Sequence, residues 1–252
     1  MFTKYFYLVR HGETILNSEK RRQDEKGGLS QKGIQEVEDL GNRLLNMKIQ
    51  KIFISPYERT LETASIVNNY LKIKPKNLII TPLLAERKNP SIIVGMRYDD
   101  PIAKDFIDKM DKSVHDPDFR MYDEENFQDL KNRSLKARKF LLKNSKKYNL
   151  CVTHGIFIKM FLSTLLYGKN LSVKDHIYMN MYNPSDNAGV TLLKYSPLRG
   201  FRKRIKKIYR NIIGIDDIKS DDENATNMDE FSNWEILAYN DYTRDGFERL
   251  HI

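Results

Sequence analysis

Residues 7–14 read Tyr7-Leu8-Val9-Arg10-His11-Gly12-Glu13-Thr14, or YLVRHGET. The run begins apolar and β-prone, then passes without a break into a cation, an imidazole and a glycine. A strand that stops on Arg-His-Gly either caps itself or aims two polar side chains at a ligand. In an open α/β sheet the carboxyl ends of the strands are where ligands bind. The fold and the chemistry of this chain therefore turn on what stands at the other strand ends.

Working outward, short β-rich runs alternate with helical patterns. Tyr5–Val9 reads as the first strand. Ile34, Val37, Leu40, Leu44 and Leu45 recur at helical spacing behind a Ser30 N-cap. Lys51–Ser55 is a second strand closed by Pro56, and Ala64, Val67 and Leu71 mark the next helix. Asn77–Thr81 reads as a third strand. A long Lys- and Arg-rich helical segment runs through Phe127, Leu130, Leu135 and Phe140–Leu142. Asn149–Thr153 is a fourth strand that breaks at His154-Gly155 into a helix, and Gly189–Tyr195 and Trp234–Tyr239 are the last two. This alternation predicts one α/β domain over residues 1–252, a three-layer α/β/α sandwich with helices on both faces of the sheet. Two segments break the pattern: a Pro-interrupted, cap-like excursion over about 85–127, and a charged insertion over about 196–230 that is basic first and acidic after.

The strand ends hold one kind of chemistry. Arg10-His11-Gly12 follows the first strand, Ser55-Pro56-Tyr57-Glu58-Arg59-Thr60 the second, Leu84-Ala85-Glu86-Arg87 the third and Thr153-His154-Gly155 the fourth. Guanidinium groups match phosphate oxygens through forked, charge-assisted hydrogen bonds. A neutral imidazole can attack phosphorus, and a protonated carboxyl can supply the leaving alkoxide with its proton. Gly12 and Gly155 are expected to let backbone amides approach the phosphate, at helix N-termini that favour an anion.

Composition narrows the field without choosing a ligand. The formal charge of +9 favours anionic partners. A lone cysteine, Cys151, excludes an internal disulfide and fits a reducing compartment. No apolar run approaches the ~20 residues of a bilayer span. The N-terminal stretch lacks a signal-peptide pattern, so a cytoplasmic location is expected.

At this point the residues resemble the histidine phosphatase superfamily, in its phosphoglycerate mutase-like branch. Arg10-His11-Gly12-Glu13-Thr14 with Asn17 matches that family's first motif, and Leu29-Ser30-Gln31-Lys32-Gly33 its helix start. Ser55 through Ala64 resembles its arginine segment, and Thr153-His154-Gly155 its second histidine motif. Trp234, Asn240-Asp241 and Leu250-His251 are similar to its ending. The resemblance implies a mostly parallel mixed sheet and a metal-independent phosphomonoesterase with no cofactor. It implies His11 as the phosphate acceptor, and Arg10, Arg59, His154, Asn17 and Gly155 as the phosphoryl cradle. Glu86 is implied as proton donor, with Glu13, Glu58 and Glu62 as nearby competitors for that part.

Two other functions stay open: a phosphoglycerate mutase-type phosphotransferase, and a noncatalytic phosphate-binding scaffold. Glu86 is followed by Arg87-Lys88-Asn89-Pro90, which departs from the substrate-positioning stretch of cofactor-dependent mutases and favours a phosphatase. The expected partner is a small phosphorylated substrate. The loops over the cleft, about Arg87–Tyr122, would set specificity, with Arg97 and Lys104 as candidate contacts for an acidic group. His115, His176 and His251 read as surface or structural, and Cys151 as core. Phe201, Ile205, Ile208, Tyr209 and Ile212 form the apolar face of a basic helix near Arg199–Arg210. That helix is expected to dock on the protein itself, with an acidic lipid or protein contact as the alternative; no nucleic acid is expected.

Overall fold

The computed structural model describes residues 2–113, 115–197, 199 and 233–241. Among these, six strands form one sheet in the order β3-β2-β4-β1-β5-β6. They are β1 (Lys4–Arg10), β2 (Lys51–Ile54), β3 (Leu78–Ile80), β4 (Tyr148–Thr153), β5 (Val190–Tyr195) and β6 (Trp234–Asp241). The pairs β1–β4, β2–β4 and β2–β3 are parallel, while β5 runs antiparallel to β1 and β6 antiparallel to β5. The sheet is mixed and mostly parallel.

Alternation along the strands explains the two faces. On one side Phe6, Leu8, Phe53 and Cys151 pack against α5 (Phe127–Asn144) and α6 (Gly155–Tyr167), with Trp234 closing the cluster. On the other side Tyr7, Val9, Ile52, Ile54, Leu150 and Val152 pack against α2 (Gln31–Leu44) and α3 (Glu58–Leu71). β4, covered on both faces, is buried along its whole length, and its polar Asn149 and Thr153 donate from their side chains to backbone carbonyls. A short helix, α1 (Ile15–Ser18), follows the first strand, and Ser30 caps α2 through its hydroxyl and the amide of Gly33, as its sequence predicts.

The excursion has its own small core of Ile93, Ala103 and Phe106, built by a 3-10 turn at Ser91–Ile93 and by α4 (Pro101–Lys112). One helix was not legible in the sequence pattern: α7 (Val173–Tyr182), started by a reciprocal Ser172–Asp175 capping box. Only His176 of its residues is buried, and apolar Tyr178, Met181 and Tyr182 are exposed, so no single apolar stripe announces it. His176 on α7 is buried between Ser163 and Asn180, a structural histidine; His115 is exposed and Cys151 is core. The basic run after Arg199 and His251 lie outside the described residues. Arg199 itself bonds the Trp234 carbonyl and the Glu235 carboxylate.

The loop after β1 is fixed by close packing on the first turn of α2. A β-carbon at Gly12 would lie 2.6 Å from the Gly33 carbonyl oxygen, and one at Gly33 would lie 1.9 Å from that of Glu13. Gly12 therefore serves backbone packing, and its amide donates to Thr63 Oγ1 at 3.3 Å; it is not the phosphate-facing amide that the sequence suggests. Overpacking against rigid backbone costs about 2 kcal/mol. Gly33→Ala is thus expected to lower the unfolding free energy by that amount, seen as a lower denaturant midpoint with an unchanged m-value.

Candidate active site

Parallel register brings the two histidine motifs together. Arg10 pairs with Thr153 and Ile54 with Val152, so the residues that follow, His11, His154 and Ser55, meet at one rim of the sheet. The His11 and His154 rings lie edge to face with centroids 5.2 Å apart. The backbone of His11 is held from both sides. Its amide donates to the Thr153 carbonyl at 3.1 Å, and its carbonyl accepts from the Asn187 side chain at 3.1 Å and the Ala188 amide at 3.3 Å.

The side chain of His11 has one permitted tautomer. Nδ1 lies 2.7 Å from the Gly12 carbonyl, which only accepts, so Nδ1 carries the proton. Nε2 is then a lone pair, and it accepts from Arg59 Nε–H at 3.2 Å. Burial, then the adjacent Arg59 and Arg10 guanidinium groups, push His11 well below the ordinary histidine range. At neutral pH it is an uncharged imidazole with its nucleophilic nitrogen pointed among cations.

Arg59, in the first turn of α3, is only 2% exposed. It is held by a bond from Nη1 to the Asp24 carbonyl at 2.7 Å and by stacking over Tyr57 at 5.0 Å. Cations are disfavoured at a helix N-terminus unless an anion is nearby, so its burial there points to a ligand. Arg10 donates to the Ser185 carbonyl through Nη1, while its Nε is buried without a partner. His154 bonds Ser55 Oγ through Nε2 at 2.8 Å; its Nδ1 is buried and unpartnered. Burial, then Arg59, push it well below the ordinary range too. The Asn17 Oδ1 is also buried and unpartnered. Such orphaned polar atoms are costly unless a ligand or water completes them.

Glu86 supplies the carboxylate. His154 stands at the N-cap of α6 with no capping hydrogen bond of its own, and Glu86 takes that place. Its Oε1 accepts from the amides of Phe157 at 3.0 Å and Arg87 at 2.9 Å, and its Oε2 from that of Ile156 at 3.2 Å. Oε2 is the less committed oxygen. The rival carboxylates are engaged elsewhere: Glu13 with Ser30 and Lys32, Glu58 with the Gly27 amide, Glu62 with the Leu29 amide.

A cavity of about 470 Å³ opens here, lined by Arg10, His11, Asn17, Arg59, Glu86 and Gly155 from the sequence motifs. His154, fully buried and edge to face with the His11 ring, is not among the residues that line it. The sequence reasoning missed Arg22, Gln23, Lys159 and Ser185, which also line it. It missed Arg133 as well. That guanidinium bonds the carbonyls of Leu83, Ala85 and Glu86 at 2.7–3.3 Å and is itself clamped by Glu125 at 2.6 Å, fixing the peptide that presents Glu86. Among the many cations of α5 nothing in the pattern singles Arg133 out. Arg97 and Lys104 are surface residues, Arg97 pairing with Asp99.

The sequence pattern of the histidine phosphatase superfamily (branch 1) matches residues 6–207. The chain belongs to this superfamily. It is 28% identical over 166 residues to the probable phosphoglycerate mutase GpmB of Erwinia tasmaniensis, covering 64% of this chain and 74% of that protein. It is 34% identical over 90 residues to the fructose-2,6-bisphosphatase TIGAR B of Danio rerio, covering 34% and 35%. The mycobacterial glucosyl-3-phosphoglycerate phosphatase superposes with a TM-score of 0.67 at 17% identity, over 95% of this chain and 99% of that one. The phosphoserine phosphatase of Entamoeba histolytica superposes at 0.64 and 16%, over 96% and 98%. At these identities the structural likeness is one of fold. Among the described residues no helix is long and apolar enough to cross a membrane.

The depressed histidines make stability depend on pH. Unfolded, His11 and His154 protonate near pH 6.5; folded, they stay neutral to well below that. Their contribution is complete above the unfolded value and is lost as pH falls from there toward the folded values. Each contributes a slope of about 1.4 kcal/mol per pH unit in that window. Urea midpoints between pH 7.5 and 5 are expected to fall steeply for the wild type, and His154→Gln is expected to lose one proton's worth of that slope.

Proposed function

We propose that the chain is a phosphomonoesterase that works through phosphohistidine on Nε2 of His11. The observation that carries this reading is the enforced tautomer: a neutral, buried imidazole whose Nε2 lone pair accepts from Arg59 in a cavity with one lining carboxylate.

The substrate phosphate enters among Arg10, Arg59 and Asn17, with the unpartnered His154 Nδ1 and Arg10 Nε available to its oxygens. Arg59 Nε–H exchanges the imidazole for a phosphoryl oxygen and frees Nε2. The Nε2–P bond forms as the bond from phosphorus to the ester oxygen breaks, and the departing alkoxide takes a proton from Glu86. Water then attacks phosphorus and gives its proton back to Glu86. The N–P bond breaks, and inorganic phosphate leaves with the imidazole neutral again. The guanidinium groups stabilise the charge spread over the phosphoryl oxygens in both steps, so on this reading the reaction needs no metal. The phosphatases of matching fold support hydrolysis by analogy.

The second reading, mutase chemistry, is favoured by one observation, the likeness to GpmB proteins. The departure at Arg87-Lys88-Asn89-Pro90 weighs against it. Supplying 2,3-bisphosphoglycerate with 3-phosphoglycerate separates the two: phosphatase chemistry releases phosphate, whereas efficient exchange with little release would establish the mutase. A scaffold without chemistry would show no turnover, and His11→Ala would then leave all its properties unchanged.

His11→Ala is expected to abolish phosphate release. Glu86→Gln is expected to cost ~10²–10⁴ in kcat with alkyl phosphates and much less with p-nitrophenyl phosphate, whose leaving group needs no proton. Arg133→Gln is expected to show the same leaving-group dependence in weaker form. It should also be non-additive with Glu86→Gln, since both act through one carboxylate. Equal losses on all esters, with full additivity, would reduce Arg133 to a fold-stabilising residue.

A further inference from the structure

The histidines occupy one end of the sheet, and the opposite end is rich in lysine. β1 starts at Lys4 and β2 at Lys51, and parallel register sets Tyr5 beside Tyr148 and Lys51 beside Asn149, so Lys146 and Lys147 stand at the same end. The loop into β3 adds exposed Lys74 and Lys76 there. At about 3.3 Å per residue, the length of β1 holds this face roughly 20 Å from His11.

Two of the ammonium groups are fixed by the last turn of α5. Lys4 Nζ donates to the Leu142 carbonyl at 2.7 Å and Lys51 Nζ to that of Asn144 at 2.6 Å, at the helix end that favours cations. Lys146 and Lys147 are exposed, on a peptide whose amides donate to Asn149 Oδ1 at 2.8 Å and Gln50 Oε1 at 3.1 Å. Here lies a second cavity, of about 620 Å³, lined by Phe2, Thr3, Lys4, Ser145, Lys146 and Lys147. Its one aromatic ring, Phe2, is 87% exposed.

The charge of this face is not cancelled from within. Among the described residues no carboxylate pairs with Lys4, Lys51, Lys146 or Lys147. Residues 1–12, 40–57, 63–85 and 130–174, which include the turns that reach this end, contain no Asp or Glu. Glu235, where β6 starts, is engaged by Arg199 at 3.0 Å. Burial, then the Lys51 ammonium, hold Lys4 below the ordinary lysine range, as expected of like charges kept together. The insertion also leaves from this end, since Tyr195 pairs with Lys4. Residues 196–233 hold eight Lys or Arg against seven Asp or Glu, so they bring no net negative charge to the face. Their first half adds seven cations, Arg199 to Arg210, interleaved with Phe201, Ile205, Ile208 and Tyr209.

We propose that this face is a docking surface for an anionic lipid bilayer, with Lys146 and Lys147 against the headgroups, Phe2 at the boundary with the acyl chains and the catalytic cavity on the far side. Two features favour a bilayer over nucleic acid. The described cations are lysines, compact point charges without the forked geometry that reads phosphates one at a time. They also accompany exposed or sequence-adjacent apolar residues, the mixture that suits the headgroup region. Docking of this kind is independent of the reaction, because face and cavity lie at opposite ends of the sheet.

Co-sedimentation of the full chain with vesicles tests this, using phosphatidylcholine alone and an equimolar mixture of phosphatidylcholine and phosphatidylserine. Binding is expected to the mixed vesicles only, weakening steeply with salt. Each lysine against the bilayer is worth about fivefold in affinity, so Lys146→Gln/Lys147→Gln is expected to bind roughly ten- to thirty-fold more weakly. Lys146→Arg/Lys147→Arg, which keeps the charge, is expected to bind as the wild type does. Phe2→Ser is expected to remove the part of the binding that survives high salt. All three variants are expected to keep the wild-type thermal midpoint, since the side chains exchanged are exposed. Equal binding to both kinds of vesicle, binding to neither, or tighter binding of a short RNA duplex than of the mixed vesicles would overturn the lipid surface. So would binding that survives Lys146→Gln/Lys147→Gln and is lost only when the cations of 202–210 are exchanged for Gln.

Discussion

The hydrogen bond from His11 Nδ1–H to the Gly12 carbonyl has meaning only because that peptide cannot turn. Gly12 lies against Gly33 on α2 with no room for a β-carbon, the His11 amide is tied to β4, and its carbonyl is tied to the Asn187–Ala188 turn before β5. With the acceptor immobile, the imidazole has one tautomer and one exposed lone pair. Arg59, in the first turn of α3, then finds that lone pair in a fixed position, and the parallel register of β1 and β4 sets His154 beside it. The rest of the site is arranged around it.

The electrostatics follow from burial. A buried histidine beside two guanidinium groups stays neutral, and that is the form a nucleophile requires. The cost is buried polar nitrogens left without partners: the donors Arg10 Nε and Arg22 Nε, and His154 Nδ1. Enclosed donors of this kind form a preorganised anion site, in which the dipoles are in place before the ligand arrives. Glu86 solves a separate problem with the same economy, capping a helix that lacks a capping side chain and so entering the cavity from a rigid peptide held by Arg133.

Much of this was written in the sequence, because strand ends in a parallel sheet converge whatever the intervening chain does. The alternation of apolar runs foretold the sheet, and Arg10, His11, Arg59, Glu86 and His154 stood at the right ends of it. What escaped notice was contact across long sequence separations. Arg133 looks like any solvated cation of a basic helix until it meets the carbonyls before Glu86. Arg22 sits in a polar loop with no periodicity, and its partner Tyr98 lies in an excursion whose prolines hide any pattern. Gly12 was misread as an amide for phosphate because its real neighbour, Gly33, is a helix away. The capping box at Ser172 was legible in principle, but the apolar side chains of α7 are spread around it, with Tyr178, Met181 and Tyr182 left exposed, so no single buried stripe draws attention to it.

The most direct test is to stop the reaction in mid-turnover and find the phosphorus. Denaturing quench under alkaline conditions, which preserve phosphoramidates, followed by peptide mapping should place the phosphoryl group on His11. The bond should be acid-labile, and the label absent from His11→Ala. A phosphoryl group on any other side chain, or steady turnover with no phosphorylated protein under conditions that trap phosphohistidine, would contradict the account.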